Sequence, residues 1–171
     1  MDMEKNDLLM ISVVFLAVFA LTFAFTTWIN AQNVELYGFH VISSKPPVQE
    51  LRALFNKTRP LILVQELTQA PSQANSAVAS VTAELIYASA VTGVQVYNYG
   101  AVNGVPVNYT CNSNNSFCGV PDIRVSIDST KAPCNCIVLN ANDTMEIRGS
   151  PEFLLANAVN IRKVVFLAKS K

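Results

Sequence analysis

The chain has 171 residues, of which 51% are hydrophobic and only 14% charged, and its formal net charge is zero. So many apolar and so few charged groups exclude a disordered chain. Neutrality excludes nucleic acid as a partner, because phosphate binding needs clustered Lys and Arg.

The apolar excess sits at the front. Leu8 to Ile29 runs for 22 residues without a charge. At ~1.5 Å per residue such a helix reaches about 33 Å, enough for a hydrocarbon core of about 30 Å. The reading is a single transmembrane helix over 8–29 behind a short cytoplasmic tail, 1–7, with Trp28 at one interface. A cleaved signal peptide would carry a shorter apolar region of ~7–15 residues behind a positive flank. Here Met1 to Asp7 is mostly acidic, and Ile29-Asn30-Ala31 is a poor cleavage match. Lys5 is the one Lys or Arg near the amino side, and none follows the run until Lys45. The positive-inside rule then puts the amino terminus inside a cell membrane and residues 31–171 outside the cytoplasm. Ala20 and Ala24, with the Phe15, Phe19 and Phe23 stripe, either face lipid or let another helix approach.

Residues 30–37 read as a juxtamembrane spacer and 38–171 as one extracytoplasmic domain. Its hydrophobic period alternates between two and about 3.6, which predicts an α/β fold (α+β being the alternative) with a mixed sheet flanked by helices. Phe39 to Ile42 reads as a strand. Pro46-Pro47 opens a short helix with Val48, Leu51 and Phe55 inward, and Asn56 to Pro60 is a turn. Leu61 to Val64 is a strand apolar enough for burial on both faces. A long helix spans Ser72 to Thr92 with Val78, Val81, Leu85 and Ala88 as its inward stripe, and Gly93 closes it.

Val94 to Val102 and Val105 to Tyr109 form a hairpin about Asn103-Gly104, and Pro106 puts the second arm at an edge. A polar loop covers 111–121. Strands follow at Ile123–Ile127, Cys136–Leu139 and Met145–Arg148. Ser150 and Pro151 then start a closing helix towards Ala168, with Leu154, Ala158, Ile161 and Val165 inward. The chain thus reads as a β-α-β-α-β opening, a meander of hairpins and a terminal helix.

Four cysteines, Cys111, Cys118, Cys134 and Cys136, fit two disulfides outside the cytoplasm. Two residues apart in a strand, Cys134 and Cys136 would project from one face, each towards the 111–118 loop. A four-thiolate metal site would need a Cys-x2–4-Cys knuckle that the spacing lacks, so no metal or cofactor is expected. Sequons at Asn56, Asn108, Asn114 and Asn142 are candidate N-glycosylation sites of a glycoprotein.

Enzyme motifs are missing: one histidine, His40, in a predicted strand, and no phosphate loop, nucleophile elbow or His-Glu-x-x-His. Nothing in the spacing pairs Glu66 with Asp128. No catalytic residue is expected. The candidate ligand-binding residues lie in two strand-to-helix turns: Glu66, Thr68, Gln69, Ser72, Gln73 and Asn75 in one, Arg148 and Ser150 in the other. The plainer role for Ser72, Asn75 and Ser150 is to cap helices. The leading expectation is a signal-anchored, single-pass accessory or structural subunit, acting by contacts with other membrane or surface proteins. Tyr97, Tyr99 and Tyr109 are candidate contact residues. The alternatives are an anchored module for a small extracytoplasmic ligand, and a thiol- or metal-handling protein using Cys134 and Cys136.

Overall fold

A computed structural model describes residues 10, 12–22, 33–68, 72–102, 105–107 and 121–170. Residues 12–22 are helical. The elements that follow are β1 (Asn33–Leu36), β2 (Phe39–Ser43), α1 (Pro47–Phe55), β3 (Leu61–Leu67), α2 (Gln73–Val91), β4 (Val96–Val102), β5 (Val105–Val107), β6 (Ile123–Ile127), β7 (Cys136–Asn140), β8 (Thr144–Gly149), α3 (Pro151–Asn157) and α4 (Asn160–Lys169). The strands make one eight-stranded mixed sheet in the order β1-β2-β7-β8-β6-β3-β4-β5. Its centre, β8-β6-β3-β4, is parallel, and β7 runs antiparallel to β8.

Register decides which residues meet the helices. Val41 lies opposite Ile137, Ile137 opposite Ile147, Ile123 opposite Met145 and Leu63 opposite Ile123. These alternate residues form one buried layer with Leu51, Leu54 and Phe55 of α1, Val78, Val81 and Leu85 of α2, Leu154 of α3 and Ile161 and Val165 of α4. All four helices therefore cover the same face. On the other face Ile62, Val64 and Ala101 are buried, with Tyr99 against them. The continuous apolar run of β3 is thus buried on both sides, as its sequence predicts.

The long helix matches expectation closely. The Ser72 hydroxyl accepts from Asn75 N, Thr92 ends the helix, and Gly93 adopts φ +75° just beyond. Val78, Val81, Leu85 and Ala88 are all buried. Glu84 and Arg162 form an ion pair joining α2 to α4, and the guanidinium of Arg162 lies 4.4 Å from the Tyr87 ring centre.

Four expectations need correction. Residues 33–36 are not spacer: they pair antiparallel with β2 across Tyr37 (φ +53°) and Gly38 (φ +90°). Two consecutive positive φ values make a primed turn whose twist suits a hairpin, and Tyr-Gly is not the usual Asn-Gly signal for it. The expected meander fails as well. β4–β5 and β7–β8 are hairpins, but β6 inserts between β8 and β3, while β7 pairs with β2 on its other side. The closing helix is broken at Ala158-Val159, where Ile161 N and Arg162 N bond three residues back, to Ala158 O and Val159 O. Asn157 turns its amide back onto Phe153 O and accepts from Asn160 Nδ2, side-chain bonds that compete with a continuous ladder. Finally, in α1 the buried face is Pro47, Glu50, Leu51, Leu54 and Phe55, with Val48 only half-buried.

Candidate functional site

The parallel strands β3, β6 and β8 end at the same edge of the sheet, and two of them lead into α2 and α3. Both strand-to-helix turns picked out from the sequence therefore share one edge. They are not adjacent: β6 stands between them, so the strands that feed them lie about 10 Å apart.

In the first turn the polar groups satisfy one another. Asn75 Oδ1 accepts from Thr68 N at 2.8 Å and from its hydroxyl at 3.1 Å, and Asn75 Nδ2 donates to Thr68 O at 3.1 Å. The Ser72 hydroxyl lies 3.2 Å from that of Thr68. Glu66 is drawn away to Arg124, at 3.0 Å on the helix-free face. Gln73 is the first residue of α2, and Gln69 lies outside the described residues. In the second turn Ser150 caps α3 by accepting from Phe153 N at 3.2 Å, and its own N–H donates to Asn135 Oδ1 at 3.0 Å. The arrangement is capping chemistry at both helix starts.

Between the turns stands Asp128, just beyond β6. Its Oδ2 accepts from Cys134 N at 2.8 Å and its Oδ1 from Thr130 N at 3.1 Å. The Cys134 amide, then the hydroxyl and amide of Thr130, hold the Asp128 carboxyl below the usual range. Asp128 organises the loop into β7 and makes no pair with Glu66.

That loop holds a feature the sequence reading missed. Cys134 and Cys136 are bonded to each other, with Cα atoms 5.2 Å apart. The expectation of separate partners assumed an extended strand. Instead, Asn135 between them takes φ +48°, and β7 begins only at Cys136. A left-handed residue turns the chain back on itself and brings the flanking side chains together, and Asn tolerates that region better than most residues. Asn135 is fixed on both sides: its carbonyl accepts from His40 N at 3.3 Å, and its side chain accepts from Ser150 N. Cys111 and Cys118 lie outside the described residues.

Cys136 is fully buried, although its register places it on the helix-free face, between His40 of β2 and Arg148 of β8. His40 itself is exposed. Arg148 Nε is shielded and makes no hydrogen bond; Glu146 Oε1 lies 3.8 Å from it, and the charge of Arg148 also helps to lower the Asp128 carboxyl. Among the described residues no group of three or more His, Cys, Asp and Glu is placed to hold a metal ion.

At the opposite end of the sheet lies the most buried charge cluster, also missed from sequence. Asp122, 1% exposed, receives Lys57 Nζ at 2.7 Å, Arg59 through two nitrogens at 2.7 and 2.8 Å, and Ile62 N at 2.9 Å. Lys57 also donates to Asp143 O at 2.8 Å. The cluster clamps the start of β3 and β6 to the β7–β8 turn. Beside it a cavity of about 320 Å³ is lined by Lys57, Arg59, Gln95 and Lys169 among others. Lys169 is already engaged with Asn56 Oδ1 at 2.8 Å. Of the sequon residues, Asn56 and Asn142 are exposed, whereas Asn108 and Asn114 lie outside the described residues. No family model, curated protein or solved structure matches the chain.

Proposed function

We propose that the chain is a membrane-anchored, single-pass accessory or structural subunit. In this reading residues 8–29 lie in the bilayer and the α/β domain outside the cytoplasm, where it works through contacts with neighbouring membrane or surface proteins. One observation carries the reading. Every residue from 12 to 22 is helical and exposed, including Phe15 at 71%, Leu16 at 66%, Phe19 at 62% and Leu21 at 71%. A helix apolar on all sides needs an apolar surround, and the buried layer of the domain does not include it. The Thr22 hydroxyl bonds back to Val18 O at 2.7 Å, which hides its polarity from hydrocarbon. Among the described residues no helix is long and apolar enough to cross a membrane; the rest of the run, residues 8, 9, 11 and 23–29, lies outside them. The exposed sequons at Asn56 and Asn142 support glycosylation on the same side as the domain.

Alkaline carbonate extraction of vesicles tests the anchor, and native mass measurement after gentle detergent extraction tests the role. Retention in the pellet and a co-purifying partner are expected. Release by carbonate, or a persistently monomeric species without a partner, would overturn the proposal.

A further inference from the structure

We infer that the Cys134–Cys136 bond is a redox-active disulfide that exchanges with dithiols of a neighbouring protein, and that it is not a structural staple. The inference stands apart from the anchor reading and rests on four features of the site.

The bridge spans two residues in sequence. Closing so short a loop removes little entropy from the unfolded chain, and it ties no two elements of the fold together. The two residues also differ in access, since Cys134 is half-buried whereas Cys136 is fully buried. An incoming thiolate therefore meets Cys134 first.

Charge favours the same polarity. Arg148 is the cross-strand partner of Cys136, and its Nε lacks a hydrogen-bond acceptor. Asp128 holds its carboxylate against the backbone of Cys134. By register the Arg148 side chain neighbours that of Cys136, while Asp128 binds the backbone of Cys134, so a cation on the Cys136 side works against the cost of burying a thiolate there. The other charged and titratable neighbours are His40, across β7 from Arg148, Glu35, which faces His40 from β1, and Glu146, which competes for Arg148.

Lastly, the turn has ties that do not involve sulfur. Asn135 bonds to His40 N and Ser150 N through its own carbonyl and side chain, so opening the bridge removes neither bond, and both sulfurs are expected to stay close enough to re-form it.

The exchange balances without a cofactor. A substrate thiolate bonds to Cys134 Sγ, the Cys134–Cys136 bond breaks, and its electron pair leaves on Cys136 Sγ. The second substrate thiol attacks the substrate sulfur of the mixed disulfide and expels Cys134. The substrate ends as a disulfide, and its two protons end on Cys134 and Cys136.

The test uses the full chain in detergent micelles at neutral pH, millimolar reduced glutathione, a rapid acid quench, alkylation and peptide mass measurement. The expected early product carries glutathione on Cys134 and an alkylated Cys136, with the far-ultraviolet dichroism unchanged. A bond that opens only after urea unfolding, or an adduct chiefly on Cys136, would overturn the inference. Arg148→Leu is expected to slow opening about fivefold, the scale of one cross-strand charge pair, while Arg148→Lys keeps the parent rate. Equal rates in the parent and both variants would overturn the assigned polarity, in which Cys136 leaves beside Arg148.

Discussion

Asp122→Asn is the most informative single change to the fold. The wild-type carboxylate is 1% exposed and accepts from Lys57, from two nitrogens of Arg59 and from Ile62 N. Burial alone would push its carboxyl up; the hydrogen bonds from Arg59, Lys57 and the Ile62 amide, with the charge of Lys57, outweigh burial and hold it below the usual range. Asn keeps the shape but turns an NH2 group towards the donors of Arg59 and Ile62. Breaking one side of a buried ion pair costs about 3–5 kcal/mol. Arg59 is 47% exposed and Lys57 19%, so both regain some water, and about 3 kcal/mol is the better figure. For a domain of this size that is a fall of about 10 °C in Tm. The pH dependence is the sharper readout. A depressed carboxyl stabilises the fold above its unfolded pKa, about 3.9, and loses that stabilisation as pH falls through the folded value below it. Thermal unfolding of the full chain in micelles, followed by circular dichroism from neutral to acid pH, should show parent and variant converging in acid. A neutral-pH loss under about 1 kcal/mol, or parallel curves throughout, would refute the account.

Three further outcomes follow from particular contacts, each read as a change in Tm. Gly149→Ala places a Cβ 3.0 Å from Phe153 Cδ1, 3.1 Å from Asn135 Oδ1 and 3.1 Å from Leu154 Cδ2, and should lose about 1–3 kcal/mol through crowding. Leu85→Ala removes a side chain only 1% exposed at the centre of α2 and should lose about 2–5 kcal/mol. Asn135→Gly takes φ +48° freely but gives up the acceptor for Ser150 N and should lose about 1 kcal/mol, whereas Asn135→Val gives up the same bond and strains the backbone as well, and should lose more.

Local signals carried most of the elements. Pro46-Pro47 before α1, Ser72 and Gly93 around α2, and Ser150-Pro151 before α3 each act within a few residues, so each is visible in sequence. Strand order is not a local property. Nothing in Ile123–Ile127 tells it to slip between β3 and β8, because that choice is made by which apolar faces fit together after collapse. The same limit hid Asp122, whose partners Lys57 and Arg59 lie more than 60 residues earlier. The cysteine pairing failed for another reason. One backbone angle at Asn135 decides it, and period-2 reasoning cannot register a single left-handed residue at a strand start.

On the anchored reading, polymer geometry orients the sheet. Four residue steps separate Ile29 from Asn33, a reach of at most about 14 Å. The β1 edge is therefore tethered close to the bilayer. β5, seven strand spacings away at about 4.8 Å each, lies about 34 Å across the sheet from that tether. Sheet edges invite pairing with other chains, and the two edges are guarded differently. β1 is four residues long and on the anchored reading would lie beside the lipid, while β5 is three residues long with Pro106, which has no N–H to offer, at its centre. Neither edge is a long open template, so on the proposed reading a partner would meet side-chain surface more than backbone. The helix-free face offers such a surface. A ladder of Glu66, Arg124, Glu146 and Arg148 crosses it, and half-exposed Tyr97 lies on the flanking strand β4. Mutual pairing of these charges leaves the face close to neutral overall, which favours recognition by shape and aromatic contact over long-range attraction.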